Sequence, residues 1–159
     1  IVPRLSAPIY IQPRDKPFNK LLILGAFKMR DISKNLSAVI SIDPQSIATD
    51  TTTNGVAVDV RDFGAAMVLF ASNDAITDGD YALTVEESDA SGSGFTTVAA
   101  ADLIGTLTDF SSSAEGIQQV GYIGTKRYIR AVITSTSTST GGLMSATIVK
   151  GRPYKAPTS

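Results

Sequence analysis

The strongest constraint on the fold of this chain is a two-residue period. Between Asp80 and Glu86, Tyr81, Leu83 and Val85 alternate with Ala82, Thr84 and Glu86. Successive strand residues point to opposite faces, so this segment lays an apolar face inward and a more polar face outward. Residues 56–61 repeat the period and place Val56, Val58 and Val60 on one face. Residues 65–71 are continuously apolar, as in a strand covered on both faces, and residues 36–42 are apolar and β-branched. Residues 95–98, 117–123, 127–136 and 143–150 complete a set of about eight strands. The punctuation fits hairpins: Asp78-Gly79 favours positive φ, residues 91–94 form a flexible tip, and Gly141-Gly142 joins two strong strands. Strands at this spacing imply an antiparallel β-sandwich, jelly-roll-like or Ig-like. Only residues 99–105 and 20–29 leave room for a turn or two of helix, so the expectation is all-β.

A chain of 159 residues suits one domain that buries a core without covalent staples. It contains no Cys, no His and no Trp. Without Cys there are no disulfides, thiolate nucleophiles or Cys-ligated metals. Without His there is no Ser–His–Asp or Cys–His catalysis, and the commonest metal ligand is missing. Any enzyme here would rest on carboxylates, Lys, Tyr or Ser, so neither catalysis nor a cofactor is expected. The longest apolar run, residues 21–27, is far shorter than the roughly 20 residues of a spanning helix. Lys28, Met29 and Arg30 follow it in place of a small-residue cleavage pattern, so neither a membrane span nor a secretory signal is expected.

The net charge of −1 conceals a segregation. Residues 1–34 carry seven basic and two acidic side chains, residues 35–149 four and thirteen, and residues 150–159 three and none, giving +5, −9 and +3. Proline follows the same partition, with Pro3, Pro8, Pro13 and Pro17 near the start and Pro153 and Pro157 near the end. Repeated prolines favour an extended chain. The organisation read from this is an extended basic arm over residues 1–35, a sandwich domain over 36–150 and a basic tail over 151–159. Two readings of the ends stand: arms lying along an acidic surface of a neighbouring subunit, or solvated termini.

Within the body, Glu86 and Glu87 are adjacent on a strand and face opposite ways, so they do not form a catalytic carboxylate pair. Residues 86–92 offer oxygens but lack an EF-hand spacing, and a solvated turn is expected. Lys126, Arg127 and Arg130, with Tyr128 between them, form the body's basic cluster. A phosphate or nucleic-acid contact would use such a cluster. The acidic body and a sequence pI near 5.3 disfavour nucleic acid, and pairing with the protein's own acids is expected. The Ser/Thr run over residues 133–140 reads as a strand with Thr134, Thr136, Thr138 and Thr140 on one face. It is either a hairpin arm wet at its far end or an edge open to another subunit.

The ordered series Val58-Asp-Val-Arg-Asp-Phe63, Thr77-Asp-Gly-Asp-Tyr81, Val85-Glu-Glu-Ser-Asp89, Ala100-Ala-Asp-Leu-Ile-Gly105, Gly121-Tyr-Ile-Gly-Thr-Lys-Arg-Tyr-Ile-Arg130, Thr140-Gly-Gly142 and Gly151-Arg-Pro153 resembles a family of small virion proteins. Tailed bacteriophages and prophages encode that family close to the major capsid protein. The resemblance spans about residues 36–157, and no single motif in it is diagnostic. The stretch 1–35 departs from the family's pattern.

The resemblance implies a small β-sandwich that decorates or cements the capsid exterior, with no catalytic residues to carry over. Its expected partners are the major capsid protein and further copies of itself, with no membrane and no nucleic acid. The charge segregation makes Arg4, Arg14, Lys16, Lys20, Lys28, Arg30, Arg152 and Lys155 the expected partner contacts. A head–tail connector or tail component is the alternative within structural roles. A carbohydrate-binding module is the alternative from a different class, although such modules present aromatic platforms and Trp is absent here.

Overall fold

Alternating side chains of this kind need a second apolar layer, and the chain supplies it with a second sheet. The computed structural model describes residues 32–73 and 76–155. Ten strands occur there in chain order: β1 (Leu36–Ile47), β2 (Thr52–Asn54), β3 (Val58–Asp59), β4 (Phe63–Ser72), β5 (Asp80–Ser88), β6 (Thr96–Thr97), β7 (Leu103–Ile104), β8 (Ile117–Tyr122), β9 (Tyr128–Thr136) and β10 (Gly142–Pro153). They form two antiparallel sheets, one ordered β1-β10-β4-β8-β7 and the other β2-β9-β5-β6, with β3 also pairing β9. Counting β2 and β3 as one interrupted strand and β7 as an extension of the β8 edge leaves eight. Their order is then first-eighth-third-sixth against second-seventh-fourth-fifth, the arrangement of a jelly roll. An Ig-type sandwich keeps several consecutive strands in one sheet, whereas here the chain crosses between sheets at most connections.

The two-residue period sets the core. Tyr81, Leu83 and Val85 of β5 and Ile129, Ala131 and Ile133 of β9 face Val68 and Phe70 of β4, Val120 of β8 and Met144, Ala146 and Ile148 of β10. Two buried serines serve the backbone inside this core. Ser41 Oγ donates to the Val56 carbonyl at 2.9 Å and accepts the Ala131 N–H at 3.1 Å. Ser135 Oγ donates to the Thr49 carbonyl at 2.7 Å and accepts the Thr51 N–H at 3.0 Å. Ser135 fastens the chain between β1 and β2 to the central strand β9, and Ser41 ties β1 and the residues between β2 and β3 to the same strand.

Several sequence expectations change. Residues 99–105 form one short 3₁₀ turn, Ala100–Asp102, followed by β7. Val56 does not share the face of Val58 and Val60: its backbone bonds the Ser41 carbonyl at 2.7 Å and its side chain is 68% exposed. The apolar strand 65–71 is not covered on both faces, since Val68 and Phe70 are buried while Met67, Leu69 and Ala71 lie half-buried on the outer side. The Ser/Thr strand ends at Thr136, and it is no edge, because β9 sits between β5 and β2. The final strand runs through Gly151, Arg152 and Pro153, three residues past the boundary expected at 150. The 78–79 and 141–142 turns carry the chain from one sheet to the other, and of the three turn signals only residues 91–94 close a hairpin, between β5 and β6. Among the described residues no helix is long and apolar enough to cross a membrane.

Candidate docking site

Topology sorts the charges along the long axis of the sandwich. The starts of β1, β4 and β9 and the ends of β5, β8 and β10 share one end. All eight described cations (Lys34, Arg61, Lys126, Arg127, Arg130, Lys150, Arg152 and Lys155) lie in or next to these segments. The opposite end carries Asp50, Asp78, Asp80, Asp109 and Glu115 and no cation among the described residues. The acids there serve the loops. Asp78 accepts the N–H groups of Ser139, Thr140 and Gly141 and the Ser139 hydroxyl, Asp50 accepts Thr138 N–H at 2.7 Å, and Glu115 accepts Ile76 N–H at 2.9 Å. The Ser139 hydroxyl and the backbone donors hold the Asp78 carboxyl down at about 2.

The basic end contains an open groove of about 640 Å³. Val60, Ala65, Ala66, Ile104 and Ile123 give its lining apolar contact, and Arg61, Lys126, Arg127 and Arg152 line it together with Phe63, Tyr122 and Tyr154. Three of these cations have acidic partners. Arg127 bonds Asp59 through Nε at 3.0 Å and Nη2 at 2.8 Å, Arg61 lies 4.0 Å from the same carboxylate, and Lys126 meets Asp89 at 2.6 Å. The Arg127 hydrogen bond holds the Asp59 carboxyl below its usual range against the opposing effect of burial. The bond to Asp89 pushes the Lys126 ammonium above its own. Tyr122 ties the groove wall together: its hydroxyl donates to Glu87 at 2.6 Å and accepts the Lys126 N–H at 3.0 Å. Burial, and then the Glu87 carboxylate, pushes its pKa upward, so it is a neutral donor.

Arg152 differs from its neighbours. It makes no ion pair with a described residue, and its φ of 54° lies in the left-handed region that side-chain-bearing residues seldom adopt. The groove therefore presents one uncommitted guanidinium beside three partly neutralised cations and two accessible rings. Such a surface suits an anionic segment of a partner, with apolar contact beneath.

Of the sequence-predicted contacts, Arg152 lines this groove, Lys155 is exposed outside it, and Arg4, Arg14, Lys16, Lys20, Lys28 and Arg30 fall outside the described residues. The basic cluster divides. Lys126 and Arg127 face the groove, whereas Arg130 pairs with Glu86 at 2.6 Å and stacks over Phe95 at 4.3 Å. Glu86 and Glu87 diverge to Arg130 and Tyr122, so no carboxylate pair forms. Residues 86–92 turn on Ser88, whose hydroxyl donates to the Ser93 carbonyl at 2.6 Å, and among the described residues no metal-holding cluster occurs. Sequence reasoning missed Arg61, Phe63 and Tyr154, because the groove is assembled from four segments distant in sequence and brought together by strand pairing. No family model, curated protein or solved structure matches the chain.

Proposed function

We propose that this protein is a structural component of a tailed-bacteriophage virion, a decoration or cement protein on the capsid exterior, with no catalytic activity. The observation that carries this reading is the gathering of every described cation at one end of a jelly roll, where four of them line an open groove. An acidic, partly apolar segment of the major capsid protein fits that groove, and repetition over the shell raises the avidity of each weak contact. The sequence series that resembles small virion proteins points the same way. Lys155, exposed just after the last strand, adds to that end in the same sense.

A carbohydrate-binding role is less well supported. Tyr81, Phe70 and Phe110 are fully buried. Arg127, Arg130 and Lys150 lie over the rings of Tyr128, Phe95 and Phe63 at 4.8, 4.3 and 4.5 Å. Those three cations occupy ring faces on which a sugar would stack. A neck or tail position remains the second structural reading.

Quantitative mass spectrometry of purified virions tests the proposal. The expected result is a copy number of the same order as the capsid subunit. A handful of copies per particle would move the protein to the neck or tail. Absence from the particle would overturn the structural role.

A further inference from the structure

The outward face of the first sheet is nearly free of charge, with exposed Asp43 in the interrupted part of β1 at its margin. At the paired outward positions of β1, β10, β4, β8 and β7 there is no Asp, Glu, Lys or Arg. Register places Thr147 between Ile40 and Leu69, Val149 between Ala38 and Met67, and Ala71 opposite Ile117. Ile40, Ile117 and Leu143 are 50%, 67% and 51% exposed. β1, β10, β4 and β8, about 4.8 Å apart, each offer at least three outward residues about 6.8 Å apart and β7 adds Ile104, making a mostly apolar face of roughly 500–600 Å² that also includes Gln119 and Ser145. Contiguous apolar patches of that size on a folded chain mark interaction surfaces.

We infer that this face binds the same face of a second copy, forming a two-fold dimer with the sheets stacked. Three observations choose a second copy. The pairing buries roughly 1,000–1,200 Å² in total, the size at which specific interfaces begin. An isologous contact uses the same patch twice, and a nearly uncharged patch can do so without opposing like charges. The end that carries Asp50, Asp78, Asp80, Asp109 and Glu115, with no cation among the described residues, would set carboxylates against carboxylates. Finally, edge-to-edge growth through β1 is blocked. Its ladder is irregular on both sides of Ile42, Pro44 falls in the second interruption, and Ser41 is already bonded to Val56. The face, not the β1 edge, is the available surface.

This inference is independent of the capsid reading, because it concerns the purified chain. Sedimentation or light scattering on a dilution series of the full chain tests it, at low salt and at about 1 M salt, where the Debye length is about 3 Å. The expected result is a dimer that persists in high salt. Leu69→Lys, at the centre of the face, should raise the dissociation constant at least about thirtyfold, as expected for loss of a central contact. Thr84→Lys, on the outer side of β5, should leave it unchanged. If Leu69→Lys lacks a native circular dichroism spectrum, Leu143→Lys at the exposed margin replaces it. A monomeric wild type, a dimer that dissociates in high salt, or a dimer indifferent to the lysine on this face would each overturn the inference. A stable dimer that is absent from virions would sink the capsid reading and leave this one standing.

Discussion

Ser41→Ala tests how the two sheets are fastened. Between β2 and β3 the ladder to β9 is interrupted, and Gly55 N–H reaches the Ala131 carbonyl at 2.8 Å while the Ala131 N–H has no backbone partner across the gap. The Ser41 hydroxyl fills that place: it accepts the Ala131 N–H and donates to the Val56 carbonyl. Gly55 leaves it room, since a Cβ there would overlap Ser41 Oγ. Removing the hydroxyl strands one fully buried donor and one half-buried acceptor. An orphaned buried group costs about 1–3 kcal/mol, and the half-buried carbonyl recovers part of its loss from water, so the expected destabilisation is about 2–3 kcal/mol. For a domain of this size, at roughly 3–5 °C per kcal/mol, the midpoint should fall by roughly 6–15 °C. Urea unfolding followed by far-UV circular dichroism measures it, with an unchanged slope confirming that the native state is intact. A loss below about 0.5 kcal/mol, the ordinary scatter of surface substitutions, would refute the argument, because water would then be reaching Ala131.

Two further predictions concern the acidic end. Because the folded Asp78 carboxyl ionises at about 2, below its usual value of 3.8, its contribution to stability is complete above about pH 4 and is lost as the pH falls toward 2. The thermal midpoints of wild type and Asp78→Asn should therefore differ above pH 4 and converge toward pH 2, and parallel curves would show that the carboxylate is not what holds residues 139–141. Gly141 has φ +72° and sits against the Ile47 carbonyl, where a Cβ would overlap the oxygen. Gly141→Ala should cost at least about 2–3 kcal/mol in urea unfolding, from the left-handed backbone and the clash together. Gly92→Ala, in open space, should stay within about 0.5 kcal/mol of wild type.

What was legible in the sequence was what depends on local alternation. Tyr81, Leu83 and Val85 read as inward and are buried, and Ile129, Ala131 and Ile133 read as sharing a face and do so. Adjacent Glu86 and Glu87 read as divergent, and Arg130 and Tyr122 receive them separately. The turns were legible only as turns. Asp78-Gly79 and Gly141-Gly142 carry the right residues for a reversal, but whether the chain returns within its own sheet or crosses to the other depends on where the partner strand already lies. Asp78 itself shows the difference: read as half of a hairpin turn, it instead gathers the N–H groups of a loop some sixty residues away.

By itself, then, the sequence determined the strand period, the inward residues of β5 and β9, the all-β class and the segregation of charge along the chain. Each of these follows from neighbouring residues, whose geometry a strand imposes without reference to the rest of the molecule. The jelly-roll order, the gathering of the cations at one end, the groove around Arg152 and the nearly uncharged outer face were decided by tertiary structure. All four depend on pairing between segments up to about a hundred residues apart, such as β1 with β10. That pairing follows from burying two apolar faces together, a requirement of the whole chain that no short stretch of it contains.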